Sequence, residues 1–281
     1  MSIVLEDVCH TYLAGSKQTV QALDHVSLTI ESGRFVCVIG QTGSGKSTLI
    51  QHFNALMVPE SGRVLVDGLD AADKKSRREL RRRVGMVFQY PEYQLFAETV
   101  AEDIAFGPKN LGTPLEEIDA CVRRAMAETG LSYDDLAARS PFELSGGQKR
   151  RVALAGILAT DPDYLVLDEP MAGLDPVGRR EILDFLRRYH ECGKTVIMVS
   201  HSMDDVAEMA EQVIVMNEGK LAMMGTPEGV FLRRDELRAL HLDVPQAALM
   251  VALLRERGVA IDETVVNHAG LLAALKEVRH V

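Results

Sequence analysis

No stretch of the sequence approaches the ~20 consecutive apolar residues that a membrane-spanning helix needs; the longest apolar run, near Leu249–Leu254, is far shorter. If the protein works at a membrane, another chain must hold it there. The first residues, Met1-Ser2-Ile3-Val4-Leu5-Glu6, lack the charged and long apolar regions of a secretory signal, so none is expected. Cysteine is sparse: Cys9, Cys37, Cys121 and Cys192 are scattered, with no CxxC spacing. That spacing speaks against a disulfide or metal framework and fits a reducing compartment. Basic charge is also short, the net charge being −10. A dedicated nucleic-acid binder is disfavoured, because such affinity rests on neutralising phosphates; a local basic face is still compatible. Repeats and low-complexity tracts are absent. What remains is ordinary for a soluble globular chain: 281 residues, 47% hydrophobic and 26% charged, enough for one large domain or a domain with an appendage.

The sequence is organised around Phe35–Ile39 and the residues that follow, Gly40-Gln41-Thr42-Gly43-Ser44-Gly45-Lys46-Ser47-Thr48. A short apolar strand breaks into a glycine-rich turn and then into a helix start, which is the context a P-loop requires. Three glycines let main-chain N–H groups close around a phosphate, and the helix opening at Lys46 adds its positive end. Lys46 brings a mobile charge for β- and γ-phosphates, and the Ser47 hydroxyl is placed to ligate Mg²⁺.

Taken in order, residues 3–31 alternate apolar and polar and predict antiparallel strands with one wet face. Tyr12 lies between them near an Ala14-Gly15-Ser16 turn, where its ring offers a face for a purine. Residues 77–83 are strongly basic, which favours a solvated helix face over a contact with an acidic surface or anionic lipid. Residues 99–160 read as mostly helical, with a helix opening at Pro114 and stopping at Gly130. Leu144-Ser145-Gly146-Gly147-Gln148 precedes a long helix expected over 149–159; a serine cap with two glycines suits either an ordinary helix start or an anion. A hairpin is expected around Asn217-Glu218-Gly219, and a small helical appendage from about Asp243 onward.

Four apolar strand-like runs end in groups suited to phosphate chemistry: the glycine loop, Gln89, Asp168-Glu169 and His201. In an open parallel α/β sheet, ligands bind beyond the carboxyl ends of the strands, so all four sets would face one crevice. Asp168 follows the Walker-B pattern and would hold Mg²⁺. Glu169, beside the metal but not needed to ligate it, is the natural base for attacking water. Gln89 can bridge metal, water and the loop that follows it, and His201 can hydrogen-bond a γ-phosphate.

Walker A at 40–47, Gln89, Leu144–Gln148, Walker B at 164–169, Gly173-Leu174-Asp175 and His201 come in the order found in the ATPase subunits of ABC transporters, which residues 1–240 resemble. The resemblance implies an α/β P-loop NTPase with a RecA-like parallel sheet, an antiparallel β subdomain, a helical subdomain at about 90–160 and a C-terminal helical extension at 241–281 that pairs subunits. It implies a head-to-tail dimer that sandwiches two ATP molecules, with Ser145, Gly146, Gly147 and Gln148 serving the partner's nucleotide. Tyr12 matches the adenine-stacking aromatic, and Asp175 the loop coupling the two sites. Phe88–Phe96, Thr99-Val100, Asp103–Pro108, Arg150–Ala153 and Gly173–Pro176 resemble more closely the ATPases of energy-coupling factor (ECF) transporters, in particular the A-prime member of a heterodimeric pair. That implies a distinct ATPase partner, a membrane T-component docked at residues 90–96, a separate S-component that captures a vitamin or a metal ion such as cobalt or nickel, and a peripheral place on the cytoplasmic face of the cell membrane. Two other readings differ in class. A soluble ABC ATPase acting on nucleic acid or the ribosome usually carries a coiled-coil insertion or two ATPase units, which this chain lacks. A subunit that gates without hydrolysing tends to lose the base or the Leu-Ser-Gly-Gly-Gln signature, and both are intact here.

Overall fold

A computed structural model describes residues 1–13, 15 and 19–278. The alternating residues at the start form strands β1 (Ser2–Tyr12) and β2 (Val20–Glu31), paired antiparallel. Apart from Gly15, the turn expected at 14–16 lies outside the described residues. The wholly buried β3 (Phe35–Ile39) leads through the glycine loop into helix α1 (Lys46–Phe53). Strands β4 (Ser61–Val66) and β5 (Leu69–Asp70) complete a four-stranded antiparallel sheet in the order β2-β1-β4-β5. The basic segment is helix α2 (Arg77–Arg83); it buries Leu80 and leaves Arg78, Arg81 and Arg82 in solvent, as a solvated face should.

After β6 (Val84–Val87) the chain makes a 3-10 turn, Pro91–Gln94, and enters four helices, α3 (Val100–Asn110), α4 (Leu115–Glu128), α5 (Tyr133–Leu136) and α6 (Gly146–Leu158), with a second 3-10 turn, Pro141–Glu143, before the last. Helix α6 begins three residues before the expected Lys149. Ser145 and Gln148 form a reciprocal capping box that satisfies the first N–H groups, so glycines at the start do not delay it. Then follow β7 (Tyr164–Asp168), α7 (Pro176–Glu191), β8 (Thr195–Val199), α8 (Met203–Met209), β9 (Gln212–Asn217) and β10 (Lys220–Gly225). Helix α7 starts at Pro176 because the Asp175 carboxylate caps it at Gly178 N (2.7 Å), with Pro176 in its first turn.

The second sheet runs β10-β9-β3-β8-β7-β6, parallel except for β10, and carries the expected β9–β10 hairpin. Side-chain alternation sorts it into two cores. Val36, Val38, Val166 and Ile197 face the antiparallel sheet and α1; Cys37, Leu165, Leu167 and Met198 face α7, α8 and the helical region. The tail closes with α9 (Pro227–Phe231), α10 (Arg234–Ala239), α11 (Gln246–Glu256) and α12 (His268–Val278). Helix α11 buries Ala247, Ala248 and Val251, and Asp204 of α8 accepts a hydrogen bond from Gln246 N at its start (2.8 Å). Among the described residues, no helix is long and apolar enough to cross a membrane.

Candidate nucleotide site

Strands β3, β8, β7 and β6 are parallel neighbours, so their carboxyl ends open on one edge of the sheet. At the end of β3, two glycines are fixed by close backbone approach. A Cβ on Gly40 (φ +152°) would lie 2.3 Å from Met216 O, and one on Gly45 (φ +100°) 2.3 Å from Ala22 O. Lys46 is 6% exposed, and its Nζ donates to the carbonyls of Gly40 and Gln41, both at 2.8 Å. Burial pushes the Lys46 ammonium below its ordinary pKa, and the carboxylates of Glu169 and Asp168 oppose that drop.

At the end of β7, Asp168 is buried and hydrogen-bonded to Ser47. Burial raises its carboxyl pKa, the Ser47 bond working the other way. Glu169 takes up φ +49°, a left-handed conformation uncommon for a side-chain-bearing residue, while its N–H still donates to Val199 O (3.2 Å). Its Oε1 lies 2.7 Å from His201 Nε2, and its Oε2 accepts from Gln89 Nε2 at 3.2 Å. Groups from four strand ends therefore converge on one carboxylate and the lysine behind it. Tyr12 joins them from the other sheet: its hydroxyl shares a hydrogen bond with Thr48 Oγ1 and reaches Met57 Sδ, both at 3.2 Å, leaving the ring partly exposed.

The structure does not bring Ser145, Gly146, Gly147, Gln148 or Asp175 to this cluster. Among the described residues, no hydrogen bond or ion pair joins them to the glycine loop, Asp168, Glu169 or His201. Ser145 and Gln148 bond to each other, and Ser145, Gly146 and Gly147 are exposed. The helix start at Ser145 is thus exposed, its side chains bonded within the cap and not to this chain's own glycine loop.

Further side-chain contacts, which the sequence does not show, tie the site together. Arg150 of α6 is 5% exposed; its Nη1 donates to Ala172 O (2.8 Å), and its Nε lies 3.8 Å from Glu92 in the loop after β6. Arg179 of α7 donates to Ser202 Oγ (2.6 Å) and Asp205 Oδ1 (2.7 Å), bracing the residues after His201. The Gln41 side chain reaches the carbonyl of Leu240 (3.1 Å). In sequence such arginines look like solvated helix residues, and only the packing of α6 and α7 reveals them. In the loop at 90–96, Tyr93 is 83% and Phe96 59% exposed, whereas Leu95 is buried.

A glycine loop at a parallel strand end, a lysine behind it and an Asp-Glu pair on a neighbouring strand define a P-loop ATPase of the ATP-binding-cassette type. A family model described as ABC transporter matches residues 23–172. The energy-coupling factor transporter ATP-binding protein EcfA2 of Symbiobacterium thermophilum is 54% identical over 279 residues, covering 99% of this chain and 96% of its own. Among solved structures, CbiO1 from Clostridium perfringens, part of the ABC transporter complex CbiONQ, matches with a TM-score of 0.73 and 36% identity over 90% of this chain and 98% of its own. The cassette MJ0796, a dimer bound to ADP and Pi, gives a TM-score of 0.71 at 29% identity over 80% and 98%. The chain belongs to the ABC transporter family and, within it, to the ATP-binding proteins of energy-coupling factor transporters, subunits that bind and hydrolyse ATP. This favours the transport reading over a soluble ATPase acting on nucleic acid or ribosomes.

Proposed function

We propose that this chain is one jaw of a two-ATPase clamp that drives a membrane T-component from the cytoplasmic face of the membrane. The observation that carries the reading is the Glu169 carboxylate, held between His201 and Gln89 beside the buried Asp168 and the exposed Ser47 hydroxyl. The main-chain N–H groups of the loop from Gly40 to Thr48 cradle the phosphates of ATP, Lys46 leaves its two carbonyl acceptors for the β- and γ-phosphates, and the Tyr12 ring stacks on adenine. A buried carboxylate next to a hydroxyl is an oxygen donor set suited to Mg²⁺, so Asp168 and Ser47 would hold it, with Gln89 alongside. Bound there, the ion would neutralise charge on the β- and γ-phosphates.

Glu169 accepts a proton from water as the water oxygen attacks the γ-phosphorus and the bond to the β-phosphate oxygen breaks, releasing ADP and phosphate. His201 holds that carboxylate in position and is within reach to bond the γ-phosphate. The exposed helix start at Ser145–Gln148 serves the nucleotide of a second ATPase subunit, and Asp175 lies in the loop that couples the two sites. We assign residues 1–240 to the ATPase domain, about 90–160 to its helical part and 241–281 to a subunit-pairing extension. The exposed Tyr93 and Phe96 receive the T-component, and an S-component supplies a vitamin or a metal ion such as cobalt or nickel.

Reconstitution of the chain with its ATPase and membrane partners in vesicles tests this. Glu169→Gln keeps ATP binding and lowers turnover by about 10²–10³-fold, the usual loss when one transition-state contact goes, and ATP-driven uptake falls with it. Turnover at the wild-type rate in that variant would remove Glu169 from the chemistry.

A further inference from the structure

The β1–β2 ladder carries a second cluster of side chains with no part in ATP hydrolysis. Its register slips three times, and the first two slips matter here. Leu5 pairs with Leu28 and Val8 with Val26, which puts an extra residue in β1; Val8 with Val26 and then His10 with Leu23 puts one in β2. The two bulges hold Asp7 at φ +52° and His25 at φ +53°, left-handed conformations in residues that are not glycine. Such geometry is unfavourable for a residue with a side chain and persists where the surroundings impose it. Its effect here is to face Cys9 with both Asp24 and His25.

The His25 N–H donates to Cys9 Sγ (3.3 Å), and His25 Nε2 lies 3.9 Å from Asp24 Oδ1. One ligand atom from each of Cys9, Asp24 and His25 falls within 4.8 Å of the others. On the far side of the imidazole, Nδ1 is 2.7 Å from Asp7 Oδ1. The carboxylate of Asp24 is itself held, by Gln21 Nε2 at Oδ1 (2.8 Å) and by Lys220 Nζ at Oδ2 (3.0 Å).

We propose that Cys9 Sγ, the Asp24 carboxylate and His25 Nε2 bind one divalent transition-metal ion of the Zn²⁺ class. Thiolate, imidazole and carboxylate together select Zn²⁺ or Co²⁺ over Mg²⁺ and Ca²⁺, which prefer oxygen alone. Zn–S and Zn–N bonds of about 2.3 and 2.0–2.1 Å in a tetrahedron separate ligand atoms by roughly 3.5 Å. Contraction by about an ångström from the present spread lies within side-chain rotation of the exposed His25. Asp7 completes the arrangement in which a carboxylate on the second ring nitrogen fixes the tautomer that leaves Nε2 free for the metal. Three protein ligands leave a fourth position for water. No CxxC or HxxxH spacing announces the set, because two strand bulges rather than one segment assemble it.

The site also touches the nucleotide loop. Asp24 N donates to Gly219 O (2.9 Å) and Gly219 N to Ser44 O (3.0 Å), so an ion here would stiffen the wall behind the glycine loop.

Titration of the full-length, reduced, metal-free chain with Co²⁺ in excess Mg²⁺ tests this, independently of the transport reading. The expected result is a thiolate-to-cobalt charge-transfer absorption that saturates at one ion per chain and is displaced by Zn²⁺. Cys9→Ser removes the band, His25→Ala weakens binding by at least about 10-fold, and Cys192→Ser changes nothing. If Cys9→Ser fails to fold, His25→Ala decides, its side chain being in solvent. Absence of the band, its survival in Cys9→Ser, or an affinity untouched by His25→Ala overturns the site.

Discussion

His52, in the last turn of the helix that follows the glycine loop, has no exposed surface, and burial pushes its imidazole down to about 4. Its Nδ1 bonds to Thr48 O at 2.7 Å, which puts the proton there and leaves Nε2 as a buried acceptor without a partner. His10, which also packs edge-on against Tyr12, presents its ring edge-on to His52 at 5.0 Å. Because the folded-state pKa lies below the unfolded value of 6.5, the unfolded chain takes up the proton first as pH falls. The stability contribution is therefore full above about 6.5 and drains away toward 4, by roughly 2 kcal/mol at pH 5. Denaturant unfolding at pH 7 and pH 5 should show this fall in the wild-type chain and a clearly smaller one in His52→Phe. An equal fall in both would mean that His52 is not the group responsible. At this scale the residues proposed for catalysis are legible in the sequence because each is a polar group fixed at the end of an apolar run. His52 is not, since nothing local says that a helix histidine will be sealed against a second histidine from another strand.

The loop at 90–96 shows how an element mixes legible and hidden parts. Its bulky residues stand out as more than a connector, but alternation around the turn Pro91–Gln94 sends Pro91 and Leu95 inward and leaves Tyr93 and Phe96 outside. Leu95 therefore belongs to the core, and Tyr93 and Phe96 are the side chains proposed to meet a membrane partner. Tyr93→Glu with Phe96→Glu should lose co-purification with the membrane partner while ATP affinity stays unchanged. Leu95→Asp should instead destabilise the chain by at least about 2–3 kcal/mol, by burying a carboxylate. Retained co-purification in the double variant would place the docking surface elsewhere. The path from this loop to the helix at Ser145 runs through Arg150, held between Glu92 and the Ala172 carbonyl. An arginine inside Lys149-Arg150-Arg151 reads as solvated, and only the close packing of α6 against the loop buries it. The bulges at Asp7 and His25 escaped for a related reason: register is a property of two strands, and one strand's pattern does not contain it.

The molecule as a whole presents two glycine-bearing helix starts that do not meet. One, at Lys46, is backed by Asp168, Glu169 and His201; the other, at Ser145–Gln148, stands in solvent with its cap complete. Strand order and motif order made the first legible, since a parallel sheet has one place for its carboxyl-end chemistry. The isolation of the second is a matter of where the helical region places it, which no single segment specifies. The arrangement makes sense if each nucleotide lies between two chains. The most direct test is the structure of the assembled ATPase pair carrying Glu169→Gln, trapped with ATP and Mg²⁺. It should show ATP on Lys46 and Tyr12 of this chain closed by the partner's signature, with Ser145 of this chain against the γ-phosphate of the partner's nucleotide. Nucleotide enclosed by one chain alone, with Ser145 still in solvent, would contradict it.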